Sequence, residues 1–356
     1  MAGPSGNQLL VPTFDILVNA QQLAQKDRAY LVELEVDVSV NIPSVASLVM
    51  GGADSQQEEI PWLDEDMFAV GRSLEVKLGY KDELVSVMKG EITGLEPEFS
   101  AAHRPALRVR GYDRRHRLMR GVQTRTFVKM KDSDIAQQIA GEANLTPDVA
   151  DTKITHEYLF QANQTNMEFL QERARSIQYE LIVDDKTLRF RPVSNKEREV
   201  VTLTMEHDLL EFCPRLTSFQ QVSTVTVRGW NPKEKREIVG RAGAGDEESR
   251  MGGERSDTGT TPTAFGRQVA MLANRSVLTQ EEADQLAKSR YKTLGLSLVT
   301  GDGVCWGRTD LLPGTVIKVE GAGKRFGGQY YLTSVLHRYS PQRGYRTHFE
   351  FERNAS

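Results

Sequence analysis

Histidine, cysteine and paired carboxylates are the side chains that most often carry metal or acid–base chemistry, and here they are dispersed. The six histidines stand at positions 103, 116, 156, 207, 337 and 348. None is spaced from another, or from Cys213 or Cys305, as metal ligands on one turn or hairpin are. Glu206-His207-Asp208 holds an acid beside a base, but neighbouring residues on a strand point to opposite faces. The sequence holds no Gly-Lys-Ser/Thr phosphate loop, no His-Glu-x-x-His, no Cys-x-x-Cys and no Gly-x-Ser-x-Gly. The expectation is a protein with no catalytic residue, no cofactor and no metal ligand.

Charge gives the sharpest local signal. Residues 101–131 hold ten Lys or Arg against one acid, Asp113. A phosphate-binding patch is one reading. A charged face meeting an acidic neighbour is the other, with loop 51–66 of an adjacent subunit as a candidate, since it holds six carboxylates and no Lys or Arg. No stacking aromatics interleave with the basic run, so no nucleic-acid partner is expected. Within the run, Gly111 and Tyr112 end a strand, and Asp113 is placed to cap the backbone of a short helix that carries Arg114 and His116. Arg117, four residues on, is placed to pair with Asp113. Leu118 turns inward, and Gly121 provides a left-handed end.

The elements that must position this junction are mostly strands. Residues 14–19, 29–40, 67–79, 84–95 and 105–112 alternate or carry strand-forming residues, and the expected first domain is 1–112. Residues 113–195 read as an α/β insert. Ser133–Ala143 has an apolar face, and Thr165 and Glu168 form a capping box that opens a second helix. Strands are expected again at 179–184, 187–193, 199–205 and 217–230. The last domain, 196–356, includes a helix opened by a second capping box, Thr279 with Glu282. It also includes segment 233–262, expected to be a mobile loop or arm. That segment has 13 charged residues and 6 glycines, with only Ile238, Val239 and Met251 as large apolar side chains.

The two ends of the chain look alike. Gly71-x-x-Leu74-x-Val76 resembles Gly314-x-x-Ile317-x-Val319 at an offset of 243, and Ile92-Thr93-x-Leu95 resembles Leu332-Thr333-x-Val335 at 240. Leu107-x-Val109 resembles Phe349-x-Phe351 at 242. Near-constant offsets predict two similar four-strand units.

The 356 residues suffice for two or three domains, and the balance of 45 basic and 49 acidic residues, −4, favours neither nucleic acid nor an anionic membrane. No apolar run is long enough to span a bilayer, so no direct membrane insertion is expected. The N-terminus lacks a secretory pattern, and two cysteines make no disulfide framework; both fit assembly in the cytoplasm.

One group of ordered motifs resembles the phage late control D family, the hub proteins of contractile tail baseplates. They are Val87–Phe99, Gly111-Tyr112-Asp113-Arg114 with His116-Arg117-Leu118, Thr124–Phe127, Asp132–Ala136, and Asn163–Thr165 followed by Glu168–Leu170. The chain is also similar to the N-terminal hub part of the valine-glycine-repeat spike proteins of type VI secretion. The resemblance implies an α+β, β-dominated fold with two tail-tube-like β-barrel domains and the α/β insert between them. It implies a homotrimer adapting a six-fold inner tube to a three-fold spike, with the inner tube protein, a separate spike protein and other baseplate proteins as partners. The finished particle would be a phage tail or an extracellular injection machine. A tail-associated peptidoglycan hydrolase and a nucleic-acid-binding regulator are the alternatives.

Overall fold

The computed structural model describes residues 11–40, 42–51, 62–63, 66–81, 83–100, 104–193, 201–247, 251, 266, 268–273 and 277–355. The fold is β-dominated. The N-terminal part contributes β1 (Pro12–Val18), β2 (Gln21–Gln22), the single turn α1 (Gln25–Arg28), β3 (Leu31–Ser39), β4 (Val45–Gly51), β5 (Ser73–Tyr80), β6 (Glu83–Glu98) and β7 (Ala106–Tyr112). Alternation drives these strands: Leu74, Val76 and Leu78 of β5 all point into one core, where they meet Ile16, Leu34, Leu48, Phe68 and Val109.

The middle part contributes β8 (Gln123–Lys131), α2 (Asp132–Glu142), β9 (Thr146–Val149), β10 (Thr155–Gln164), α3 (Asn166–Ile177), β11 (Tyr179–Asp184) and β12 (Thr187–Pro192). β8 and β10 form an antiparallel ribbon; β11 and β12 form a hairpin, with β9 parallel to β12. Thr165 caps α3 by accepting from the Glu168 N–H, and Glu168 accepts in return from the Thr165 N–H, as the capping box predicts. The helix buries Met167, Leu170 and Ala174 in a second core with Ile135, Ile139 and Phe190.

The last part holds β13 (Val201–Thr204), β14 (Leu209–Leu216), β15 (Thr224–Asn231), β16 (Arg236–Gly243), β17 (Val269–Leu272), α4 (Gln280–Leu296), β18 (Val299–Trp306), β19 (Val316–Glu320), the single turn α5 (Gly323–Phe326), β20 (Gly328–Ser340) and β21 (Gly344–Arg353). The Thr279–Glu282 box caps α4, which lays Ala283, Ala287 and Tyr291 on the sheet β16-β15-β17. For residues 236–243 this corrects the expectation of a mobile loop over 233–262. Residues 236–243 form β16, paired along its length with β15. Its inward residues are Ile238, Gly240 and Ala242. Two of the three are small, so the alternation does not register as apolar. Residues 248–250 and 252–262 lie outside the described residues.

The duplication is visible as strand order. β3-β4-β7-β6-β5 at one end repeats as β14-β18-β21-β20-β19 at the other, all neighbours antiparallel. Even the irregularities recur. A bulge between Ile92 and Gly94 of β6 matches one between Leu332 and Ser334 of β20, and one between Leu31 and Glu33 of β3 matches one between Leu209 and Glu211 of β14. Two of the three sequence offsets agree with this alignment. The third shifts: ladder positions equate Val109 with Phe349, an offset of 349 − 109 = 240. A two-residue slip keeps a side chain on the same face, which is why the pattern survives it.

Both units belong to one thirteen-stranded sheet, and the described strands of neither close on themselves. The link is β20. Its first residues pair with β19, and Ser334–Tyr339 pair on the same edge with Ser39–Leu34 of β3. Among the described residues no helix is long and apolar enough to cross a membrane. In β18, a Cβ on Gly303 would lie 2.5 Å from the Phe349 ring. Gly303→Ala should therefore cost about 1–3 kcal/mol in denaturant titration through overpacking; an unchanged midpoint would contradict this packing.

Candidate functional site

The strand-to-helix junction at 111–121 is built from the backbone outward. β7 ends at Tyr112, and Asp113 is extended (φ −62°, ψ 166°) before a 3-10 helix over Arg114–Met119. One Asp113 oxygen accepts from the Arg115 N–H at 2.8 Å; the other accepts from the Ser44 N–H at 2.7 Å. The Arg115 guanidinium closes on that second oxygen at 2.7 and 2.9 Å, and reaches Ser44 Oγ at 2.9 Å and the Leu181 carbonyl at 3.2 Å. Asp113 and Arg115 are 2% and 1% exposed. This buried, hydrogen-bonded pair ties the loop before β4 to β11 of the insert.

Beside it, Glu91 of β6 collects two guanidinium groups and an imidazole. Arg114 donates at 3.2 Å and also contacts Asp185; His116 Nε2 lies at 2.8 Å; Arg117 donates through Nε at 3.1 Å and through Nη2. Burial alone would raise the Glu91 pKa, but hydrogen bonds from Arg117 and His116 and the charges of Arg117 and Arg114 outweigh it and hold the carboxyl at about 2.

Of the residues singled out at this junction, the structure brings Asp113, Arg114, His116 and Arg117 into two adjoining charge clusters. Gly111 admits the chain because a Cβ would sit 2.6 Å from the Leu74 side chain. Leu118 is buried, and Gly121 has φ +73°. One pairing is corrected: Asp113 binds Arg115, and Arg117 binds Glu91. The four-residue spacing suits an α-helix, whereas this turn is a 3-10 helix with three residues per turn, and Asp113 stands outside it. Sequence spacing does not reveal Arg115, Glu91 and Ser44 as partners. The only available signal for Glu91 is its place opposite Tyr112 in the β6–β7 ladder.

The basic run is also resolved by geometry. Arg110 pairs with Glu96 at 2.7 Å, Arg125 with Glu142 at 2.8 Å and Lys131 with Asp151 at 2.9 Å, besides the pairs with Glu91, Asp113 and Asp185. These acidic partners belong to the same chain, and none of them lies in loop 51–66, the partner expected from an adjacent subunit. Residues 52–61, 64 and 65 of that loop lie outside the described residues.

A second buried cluster centres on His156, which spacing gives no reason to select. Its Nδ1 lies 2.6 Å from Glu282 Oε1 and its Nε2 3.1 Å from Asp132 Oδ2. Arg173 also donates to Asp132, at 2.5 and 3.0 Å, and its Nη2 lies 3.1 Å from His156 Nε2. The other Glu282 oxygen caps α4 by accepting from the Leu278 and Thr279 N–H groups. His156 thereby joins the starts of α2 and α4, residues 150 positions apart. Burial opposes its charge, but hydrogen bonds to Asp132 and Glu282 prevail and raise its pKa. Asp132 is held at about 2 by His156 and Arg173 against its burial. Both imidazole nitrogens are occupied by carboxylates, and no group of described residues could hold a metal ion.

With the geometry in place, similarity to known proteins can be read. The chain is similar to the 43 kDa tail protein of prophage MuSo2 from Shewanella oneidensis, at 13% identity and a TM-score of 0.73, covering 96% of this chain and 98% of that one. It is similar to a tail protein from Neisseria meningitidis MC58 at 14% identity and a TM-score of 0.69, covering 97% of each. A third is an E. coli component of the type VI secretion system with structural similarity to T4 bacteriophage tail proteins gp27 and gp5. It shares 14% identity and a TM-score of 0.58, over 92% of this chain and 74% of that one. At such identities the likeness is one of fold: this chain has a phage-tail-protein fold. A family model described as the Alg8 N-terminal domain matches residues 8–341, and the chain belongs to that family. No curated protein matches.

Two outcomes follow from the clusters. Arg115→Met leaves Asp113 buried without its cation, and should cost about 3–5 kcal/mol in denaturant titration; a loss within error would remove the pair from its structural role. His156 has a raised pKa, so its contribution is fully present below the unfolded value of about 6.5 and fades as pH rises through the folded pKa. Melting temperature should fall over that interval in the wild type, and His156→Gln should flatten the fall. Equal slopes would contradict a charged His156.

Proposed function

We propose that this chain is the structural hub of a contractile tail baseplate, of the late control D kind, and is not an enzyme. Three copies join the six-fold inner tube to the three-fold spike. The observation that carries the reading is the duplicated strand order. Each chain holds two equivalent sheet units, so a three-fold ring of chains presents six similar units to a tube with six subunits per ring. The fold shared with phage tail proteins supports the same reading.

In this arrangement the first and last parts, about 1–112 and 196–356, are the two tube-like domains, each completing its barrel only within the ring. The insert 113–195 props them apart. Rigid charge clusters suit a hub, which moves with the tube and spike and must carry force without bending. The junction Gly111, Tyr112, Asp113, Arg114, His116, Arg117, Leu118 and Gly121 acts as the hinge-free corner between the first unit and the insert. The inner tube protein, a separate spike protein and other baseplate proteins are the partners; the assembly forms in the cytoplasm and leaves as part of a particle.

Light scattering on the purified protein, alone and co-purified with its tube and spike proteins, should give a species of three times 39.9 kDa for this chain. A strict monomer or a two-fold dimer under both conditions would refute the reading.

A further inference from the structure

We infer that neighbouring copies join through the second half of β6 in one copy and the outer edge of β14 in the next, in the register that β20 and β3 already use inside one chain. The number of copies rests on the hub reading above; the register does not.

The register follows from the duplicated ladders. The rung Glu96–Arg108 corresponds to Leu336–His348, a shift of 336 − 96 = 240 for β6. The rung Leu34–Leu48 corresponds to Phe212–Gly303, a shift of 212 − 34 = 178 for β3. Both shifts place the paired bulges in coincidence. Inside the chain, Ser334 pairs with Ser39 and Tyr339 with Leu34. Applying the shifts gives Gly94 opposite Thr217 and Phe99 opposite Phe212, between copies.

Both strands have room for this. β6 pairs with β5 as far as Glu91, and Ile92 bonds Gly71 and Arg72 just before β5, so that edge is open beyond Ile92, while β7 occupies its other edge. β14 pairs with β18 alone among the described strands. The side chains also fit. Phe99 is 64% exposed and Leu216 39% exposed, whereas their counterparts Tyr339 and Val38 pack against the first core. In the proposed register Leu95 faces Leu216, as Val335 faces Val38 inside the chain. Glu96 faces Arg215, opposite charges on one rung. The interface is head-to-tail; closed at the three copies of the hub reading, it forms a ring and leaves neither edge open.

One rung differs. Pro97 falls opposite Pro214, where the chain's own junction has His337 opposite Val36. That internal rung lies an even number of residues from the bond that the Val40 N–H donates to the Thr333 carbonyl, so it is a hydrogen-bonding rung. Two prolines there donate nothing. The joint between copies is therefore weaker than the joint within one, and each edge is a poor template for unrelated strands.

Disulfide capture tests the register. Glu98 falls opposite Cys213, which is exposed; the corresponding internal residues, Arg338 and Glu35, form an ion pair at 2.5 Å. Full-length Glu98→Cys, expressed with its tube and spike proteins and oxidised mildly, should run without reductant as covalent dimers and a closed three-chain species. Glu98→Cys with Cys213→Ser, and Gly94→Cys alone, should give none. All substituted sites except Gly94 are exposed, so the fold is preserved. Three-copy assemblies by mass, with no disulfide between the introduced thiol and Cys213 of the next copy, would overturn the register and spare the hub reading. Linked chains longer than three would support the register and overturn the three-fold count. Absence of any association would overturn both.

Discussion

The fold hangs on one strand edge that serves two neighbours. β20 spends its first residues on β19 and Ser334–Tyr339 on β3, so segments some 300 positions apart become adjacent strands. Without that edge the two sheet units would be held by the insert and by side-chain contacts such as Tyr80 with Tyr345 and with the Gly307 carbonyl. With it, the ends of the chain form one sheet, and the angle between the units is set by backbone hydrogen bonds instead of by a linker. Such pairing is non-local, and forming it closes a loop of about 300 residues, an entropic cost the joint must offset.

The charge clusters act on the same geometry from the side. Asp113 and Arg115 bind the approach to β4 and the middle of β11, and His156 binds the start of α2 to the start of α4. Each is a set of buried charges with its hydrogen bonds satisfied inside the chain, and so each prefers one arrangement strongly over a displaced one. None presents a free nucleophile or a free base to a substrate. They make corners stiff, which is the property the proposed hub role requires.

Much of this architecture is legible in the sequence. Alternation in β3 and β5, both capping boxes and the repeat of Gly71–Val76 as Gly314–Val319 all depend on near neighbours in sequence, and all are present in the structure. What escapes depends on distant neighbours. β16 reads as a charged loop because Gly240 and Ala242 are its inward residues. β18 is hidden by Gly301 and Gly303, which are small because Phe349 and Phe351 fill the space above them. Arg115 cannot be chosen over Arg117 without knowing that the turn is a 3-10 helix. His156 has no motif, since its partners lie on two helices far along the chain.

The most direct measurement is an electron cryomicroscopy reconstruction of this chain within its assembled particle, computed without imposed symmetry. The account predicts three copies around one axis, their six β3-to-β5-type sheet units spaced near 60° apart, about a closed ring. A ring in which only one of the two units per chain faces the axis, or copies related by a two-fold, would contradict it.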